Sequence, residues 1–511
     1  MQPKPVPNPI RTTSANAFAH ATMTDRLPAN IRNVIRVNDF PSSISTALEE
    51  LARHIAGNEE IPPPPFPAWD HDTWNAEWKP HRNARWHDME WFFGETYGFR
   101  LLLERTRYFE TSIDPFLPLK QREIDSGSAF LPIQRFFAPG SPAATLLETS
   151  VPAPAAGSAS TERVGASVGR SDASVPLGFL RSTVSDALPL IEEALHLSMW
   201  GNKADISFVS GGELDHSSGD RELLILDHSG DGARRILNHA APDRPVHIIM
   251  DNSGAELAGD LVLAMVVVAI TGARVILHPK LYPTYVSDTT AQDIHRFLRV
   301  AANHQDATVR CFAGAMEPLL ESLSITIAPD DYWCTARFMT DMPPRITRLL
   351  SDASVIIVKG DFNYRRVMRD TVWPAGIDPR AASGIPLPVP FLLLRTLKSD
   401  CLVGVPQKRL PRRRPQVDRI GPRHRRTGMA HSRSPGCDPA RVISLLSALG
   451  FRISIELTFC EAAAGTPTHN TCSRATPSAL AQGASKFPIV VGNILHHAPP
   501  DSVPVPKGRD I

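Results

Sequence analysis

Two rhythms of apolar residues divide this chain. From Thr24 onward Leu27, Ile31, Val34 and Ile35, then Ile44, Leu48, Leu51 and Ile55, recur at helical spacing. After Pro62–Pro65 an aromatic stretch runs from Trp69 through Trp86, Trp91, Phe92 and Phe93 to Phe99, Leu101, Leu102 and Leu103. It reads as the core of a helical bundle, because aromatic side chains dominate protein interiors. In the second half, short apolar runs at Leu223–Leu226, Val246–Met250, Arg274–Leu277, Val355–Val358 and Leu392–Leu394 read as buried strands. Helical stretches separate them, among them Gly254 to Ile270. Strands alternating with helices predict a mainly parallel sheet covered by helices. The expected fold class is therefore α/β: a three-layer α/β/α, Rossmann-like domain with a mainly parallel sheet, plus an N-terminal helical domain.

The expected boundaries follow. Residues 1–23 read as disordered, 24–146 as the helical domain, and 147–177, rich in Ala, Ser, Gly and Pro, as a loop insertion. Residues 178–404 form the α/β/α domain, and 405–511 read as a basic tail, disordered or aberrant. That tail holds 16 Lys and Arg against 6 Asp and Glu; its balance of +10 leaves residues 1–404 at −9 within a chain of net charge +1. An acidic main body gives no reason to expect nucleic-acid binding. The basic arm around Arg412, Arg413 and Arg414 has a localisation or nucleic-acid patch as its other reading.

A length of 511 residues allows two or three domains. Six scattered cysteines without a C-x-x-C pair imply neither a disulfide framework nor a zinc site, so a reducing cytosol is the simplest compartment, with the nucleus as the alternative. Pro3, Pro5, Pro7 and Pro9 argue against a helical targeting peptide, although no acid precedes Asp25. Leu261 to Ile270, the longest apolar run, is too short to span a bilayer, so no membrane association is expected.

Four segments end in polar clusters where strands should stop. Asp251-Asn252 follows Val246–Met250, and Glu256 and Asp260 follow at i and i+4 on one helix face. Tyr285-Val286-Ser287-Asp288 comes soon after the Arg274–Leu277 run, Lys359 to Arg365 after Val355–Val358, and Arg395-Thr396-Leu397-Lys398 after Leu392–Leu394. Each alone also reads as a solvated loop, and Asp-Asn is common turn chemistry. Together, at successive strand ends, they converge on one crevice of an open α/β sheet. Carboxylates and an amide oxygen are hard ligands for a divalent cation, while Lys and Arg bind phosphate oxygens. Gly360 permits close backbone approach to an anion. His196, His247 and His278 sit in or beside apolar runs and read as core histidines.

These motifs resemble the damage-control metal-dependent phosphatases, formerly domain of unknown function 89, in the subfamily marked by Arg-Thr-x-Lys. The resemblance runs from about Arg26 to Gly404 and rests on Trp200-Gly201-Asn202, Asp251 to Leu257, His278-Pro279-Lys280, Val286-Ser287-Asp288, Lys359 to Arg365 and Arg395-Thr396-Leu397-Lys398. It implies a metal-dependent phosphatase acting on small-molecule sugar phosphates such as fructose 1-phosphate. By that likeness Asp251, Asn252 and Asp288 are catalytic and hold the metal, which is manganese or nickel, with cobalt or magnesium as alternatives. Asp251, Asn252, Glu256, Asp361, Asn363, Arg365 and Lys398 would contact substrate, and Arg395, Thr396 and Lys398 carry the motif. Asn202 and Asp205 would brace the site. Whether Asp251 attacks phosphorus or only holds the metal stays open.

Three departures mark this chain. Ala255 stands where the family usually has an aromatic, the 147–177 insertion precedes Trp200, and no closing strand is visible after Lys398. Two other functions remain in play. One is an S-adenosylmethionine-dependent protein-glutamate carboxyl methyltransferase, for which Asp227 to Gly232 is the nearest glycine-rich loop. The other is an inactive paralogue with a binding role.

Overall fold

The structure is a computed structural model that describes residues 6–65, 68–148, 187–210, 224–374, 377–399, 401–405 and 453–458, with 200–210 and 453–458 described as backbone elements only. Its contacts divide the chain into two compact units, Met1–Ala462 and Ala463–Ile511. The second lies outside the described residues.

Six strands build the sheet of the first unit: β1 (Val246–Ile249), β2 (Val275–His278), β3 (Ile325–Ile327), β4 (Val355–Lys359), β5 (Phe391–Thr396) and β6 (Ile453–Thr458). Their order is β3-β2-β1-β4-β5-β6. The first five pair in parallel, and β6 pairs antiparallel with β5. Every residue of β1, β2, β4 and β5 is buried. Coverage on both faces explains why these strands read as unbroken apolar runs instead of alternating ones.

Helices supply the outer layers. The principal ones are α1 (Leu27–Val37), α2 (Ser42–Ala56), α3 (Trp91–Arg105), α4 (Leu117–Asp125), α5 (Ala187–Ser210), α6 (Ala255–Thr271), α7 (Ala291–Ala302), α8 (Ala307–Glu321) and α9 (Gly360–Val367). One core joins Val246, Ile248, Val275, Leu277, Val355 and Ile357 to α5, α6, α7 and α8. The other joins Ile249, Ile356, Val358, Phe391 and Leu393 to α1, α2 and the aromatic α3. Alternate strand residues thus face opposite layers, and the amino-terminal helices form one of them. The helix α6, buried along nearly its whole length, ends at Gly272, whose φ of 71° allows its N–H to reach the Val268 carbonyl.

Several sequence expectations change here. Leu224, Ile225 and Leu226 lie outside the sheet, and Ile225 and Leu226 pack with Leu397 and Val405 in a small satellite cluster. The three-residue edge strand β3 is too short to leave a pattern. Residues 6–23, expected to be disordered, are tied in: Ile10 is buried, its N–H bonds to the Asp370 carbonyl, and its own carbonyl accepts from Trp91. A sheet lacking its closing strand was expected, yet Ile453–Thr458 closes the β5 edge. Its Ile-Ser-Ile-Glu-Leu-Thr alternation is strand-like, but it is only six residues long and lies beyond the proline- and arginine-rich stretch after Val405. The insertion 147–177 lies outside the described residues except for Leu147 and Glu148, as does the tail after Val405 except for β6.

Candidate active site

The strand order reverses at β1, whose neighbours β2 and β4 carry the chain off in opposite directions. In open α/β sheets such a switch point leaves a crevice beyond the carboxyl ends of the strands. Asp251 follows β1 and Gly360 opens α9 directly after β4, so both stand at that crevice. They touch: a Cβ on Gly360, whose φ is 79°, would come within 1.9 Å of Asp251 Oδ2. Only glycine leaves that carboxylate room.

Backbone hydrogen bonds join the Asp251 loop to the loop after β2. Asn252 bridges Asp288, Ser253 N–H donates to the Ser287 carbonyl at 2.7 Å, and Thr289 N–H donates to the Asp251 carbonyl at 2.7 Å. Side chains repeat the link. The Asn252 amide donates to Asp251 Oδ2 at 3.1 Å and Glu256 Oε2 at 2.9 Å, while its oxygen accepts from Ser287 Oγ at 2.7 Å. Lys280 Nζ stands 3.4 Å from Asp288 Oδ2. Asp251, Asn252 and Asp288, the expected ligands, are therefore brought together.

Their electrostatics are unfavourable as they stand. Burial, then the charges of Glu256 and Asp288, push the Asp251 carboxyl well above its usual range, against Lys280 and Lys398. Burial likewise raises Asp288 to about 6 despite Lys280 and Lys120. Acids gathered in low dielectric repel one another, and a divalent cation among them reverses that cost. The donor set, two carboxylates and an amide, suits a hard cation. Among the described residues no group of three or more His, Cys, Asp or Glu has metal-site geometry, and this set contains only two such residues.

The other expected contacts are engaged by the protein itself. Glu256 Oε1 and Asp260 Oδ1 hold the buried Lys359 ammonium at 3.0 and 2.7 Å, and the Ser198 carbonyl completes its partners. Both acids keep Lys359 protonated in spite of burial. Asn363 donates to the carbonyls of Met250 and Lys359, stitching β1 to β4. Asp361 Oδ1 accepts from Arg395 at 3.0 Å, from Lys398 N–H at 3.2 Å and from Ser399 Oγ at 3.1 Å, which anchors the Arg-Thr-x-Lys segment. Arg395 also stacks over Tyr364 at 3.5 Å. Thr396 is buried, and its hydroxyl has no hydrogen-bond partner among the described residues. Arg365 was expected to neutralise phosphate. Its fork bonds Asp370 and Glu95, with the guanidinium 3.5 Å over Trp91.

A profile of the damage-control phosphatase ARMT1-like domain matches residues 22–412. This chain belongs to that family. It is 31% identical over 229 residues to the damage-control phosphatase ARMT1 of Rattus norvegicus, covering 41% of this chain and 52% of that one. The Xenopus laevis and Homo sapiens proteins of the same name are 30% and 28% identical, over 232 and 228 residues, with the same shares covered. The chain thus spans about half the length of the curated relatives it matches. Among solved structures it is similar to a domain-of-unknown-function-89 protein from Pyrococcus horikoshii, at 14% identity and a TM-score of 0.35, covering 73% of this chain and 89% of that one.

Within this ARMT1-like domain, three residues at the site were given no role by the sequence, Lys280 appearing only within the His278-Pro279-Lys280 motif. Lys280, fully buried two residues beyond β2, was legible in principle from its strand-end position. Lys120 and Glu123 come from α4, more than a hundred residues earlier, and no local pattern distinguishes them. His247 and His278 are buried side by side, with Nδ1 and Nε2 2.9 Å apart. Burial holds them at about 4 and about 3, neutral at physiological pH. Expectations for Asn202 and Asp205 fall on side chains outside the described ones. No helix among the described residues is long and apolar enough to cross a membrane.

Proposed function

We propose that this chain is a divalent-metal-dependent phosphatase acting on phosphorylated sugars such as fructose 1-phosphate. The observation that carries the reading is the Asp251–Asn252–Asp288 group at the switch point, with two carboxyls raised by burial and by nearby acids. Asp251, Asn252 and Asp288 would hold the cation, which supplies Lewis acidity toward a phosphoryl oxygen and a more acidic bound water.

The remaining chemistry belongs to the chain. Lys280 and Lys398 are the cations whose charge reaches Asp251, so a phosphate beside that carboxylate meets both. Asp361 sets the position of Lys398 through its backbone N–H. Glu256, fixed by Lys359, directs the Asn252 amide. Asn363 ties the first turn of α9 to the end of β1 through the Met250 carbonyl, and Arg365 anchors its far end on Asp370 and Glu95. Asp227 and His228 lead into a helix over Ser229–His239 whose first turn takes in Gly230 and Gly232, and no strand of the described sheet precedes them, which lends the methyltransferase reading no support.

Phosphate release from fructose 1-phosphate and related sugar phosphates, with manganese and with chelator, tests the proposal beside an Asp251→Ala control. Metal-stimulated release by the folded wild type that the variant lacks, at a loss of about a thousandfold or more, is expected for removal of a metal ligand. No stimulated release across the panel would overturn the proposal. Methyl transfer to a protein carboxylate would favour the alternative enzyme.

A further inference from the structure

Helix α4 belongs to the amino-terminal helical part of the chain, yet two of its side chains end on the two loops of the site. Lys120, 6% exposed, donates through Nζ to the backbone carbonyl of Asp288 at 2.9 Å, to Asp293 Oδ2 at 2.7 Å and to Asp114 Oδ2 at 3.0 Å. An ammonium has three protons, and here each has an acceptor. Glu123 stands one turn further on, at i+3 and so on the same face. Its Oε1 accepts from Ala255 N–H at 2.8 Å, and its carboxylate fills the space beside Gly254, where a Cβ would come within 1.9 Å of Oε2. One short helix therefore grips both the Ser287–Asp288 loop and the turn after Asp251-Asn252.

The grip is strong for its size. Burial works against the Lys120 charge, yet Asp114 and Asp293 together hold it protonated. Asp293 is itself fixed as the third residue of the Thr290 capping box that starts α7. The Asp288 peptide is thereby tied to two helices at once. A carbonyl held in place fixes the peptide plane from which its own side chain projects.

We propose that Lys120, aided by Glu123, is a positioning residue that sets the Asp288 loop against the Asp251-Asn252 loop at the spacing that divalent-metal binding needs. The inference rests on the phosphatase reading of the site. Partners one shell out from a metal typically alter its affinity by about 10–100-fold when removed.

The test uses the full chain as wild type, Lys120→Met and Lys120→Arg. Calorimetric manganese affinity and metal-free melting temperature are read beside sugar-phosphate turnover. Lys120→Met should weaken manganese binding by about 10–100-fold, and Lys120→Arg, which keeps a charged donor, should recover part of it. If Lys120→Met fails to fold, Asp293→Asn replaces it, because Asn retains the cap acceptor while removing the charge that holds Lys120. A smaller loss in the same direction is then expected. A folded variant of either kind that binds manganese as the wild type does overturns the proposal and leaves the phosphatase reading intact. A wild type that neither binds manganese nor releases phosphate overturns both.

Discussion

Two buried charge clusters flank α9, and they are built on opposite principles. At its start lie Asp251, Glu256 and Asp288; at its end lie Arg365, Asp370 and Glu95. Burial raises the carboxyls of both Asp251 and Asp370. The next influences differ in sign. For Asp251 they are repulsion from Glu256 and Asp288, whereas for Asp370 they are attraction and hydrogen bonding from Arg365. Arg365 reaches both Asp370 oxygens, at 2.8 and 3.2 Å. Asp370 thus meets its cation first, whereas Asp251 meets like charges first, although Lys359 and Lys280 partly offset Glu256 and Asp288. Burial alone does not single out a candidate functional acid; burial with like charges for neighbours is the stronger pointer.

The largest effect should come from Gly360→Ala. The added Cβ would enter the Asp251 carboxylate and force alanine to a φ of 79°. The backbone cost is roughly 1–2 kcal/mol, but the displaced carboxylate matters more. Manganese-dependent turnover should fall to the level of Asp251→Ala, and calorimetric manganese affinity should drop by more than about tenfold. Near-normal turnover would show that Asp251 need not stand where the structure puts it, and the comparison would lose its first member.

Arg365→Met strikes the second cluster. It leaves Asp370 buried without its cation and Glu95 with only the 3.5 Å ion pair to Arg26, a class of change that costs about 3–5 kcal/mol. Denaturant unfolding should show that loss, while the surviving folded fraction keeps its manganese affinity. If stability holds and KM for sugar phosphate rises instead, Arg365 is the phosphate contact that the family likeness implied, and the contrast between the clusters collapses.

Much of this architecture was legible from sequence for a simple reason. Parallel strands buried on both faces leave unbroken apolar runs, so Val246–Met250 and Val355–Val358 stood out. Polar residues just beyond such runs must lie at strand ends, which brought Asp251, Asp288 and Lys398 into one candidate crevice. Partner choice was not legible. Nothing local says that Arg365 pairs with Glu95, 270 residues away along the chain, or that Lys120 bonds the Asp288 carbonyl, 168 residues away. The strand β6 was hidden for another reason: its pairing partner, β5, lies beyond a proline- and arginine-rich stretch, and its alternation is only six residues long.

The smallest predicted effect is the dependence of metal-free stability on pH. Folding raises Asp288 from 3.8 to about 6, so between those values the folded state holds more protons than the unfolded state. Stability contributed by this group is therefore lost as pH rises through that window, the reverse of an acid held by a partner. The contribution is on the order of 3 kcal/mol at most. His247 and His278 act in the opposite direction, because their lowered values leave the unfolded chain binding more protons below its ordinary histidine range. Asp288→Asn removes the first effect and keeps the second. Melting temperatures in chelator from about pH 4.5 to about pH 7 should show the variant gaining on the wild type as pH rises. Saturating manganese should shrink that gain, since the cation competes with the proton for Asp288. A difference between the two proteins that stays flat with pH would mean that Lys280 and Lys120 already match Asp288 to its surroundings, as Arg365 does Asp370.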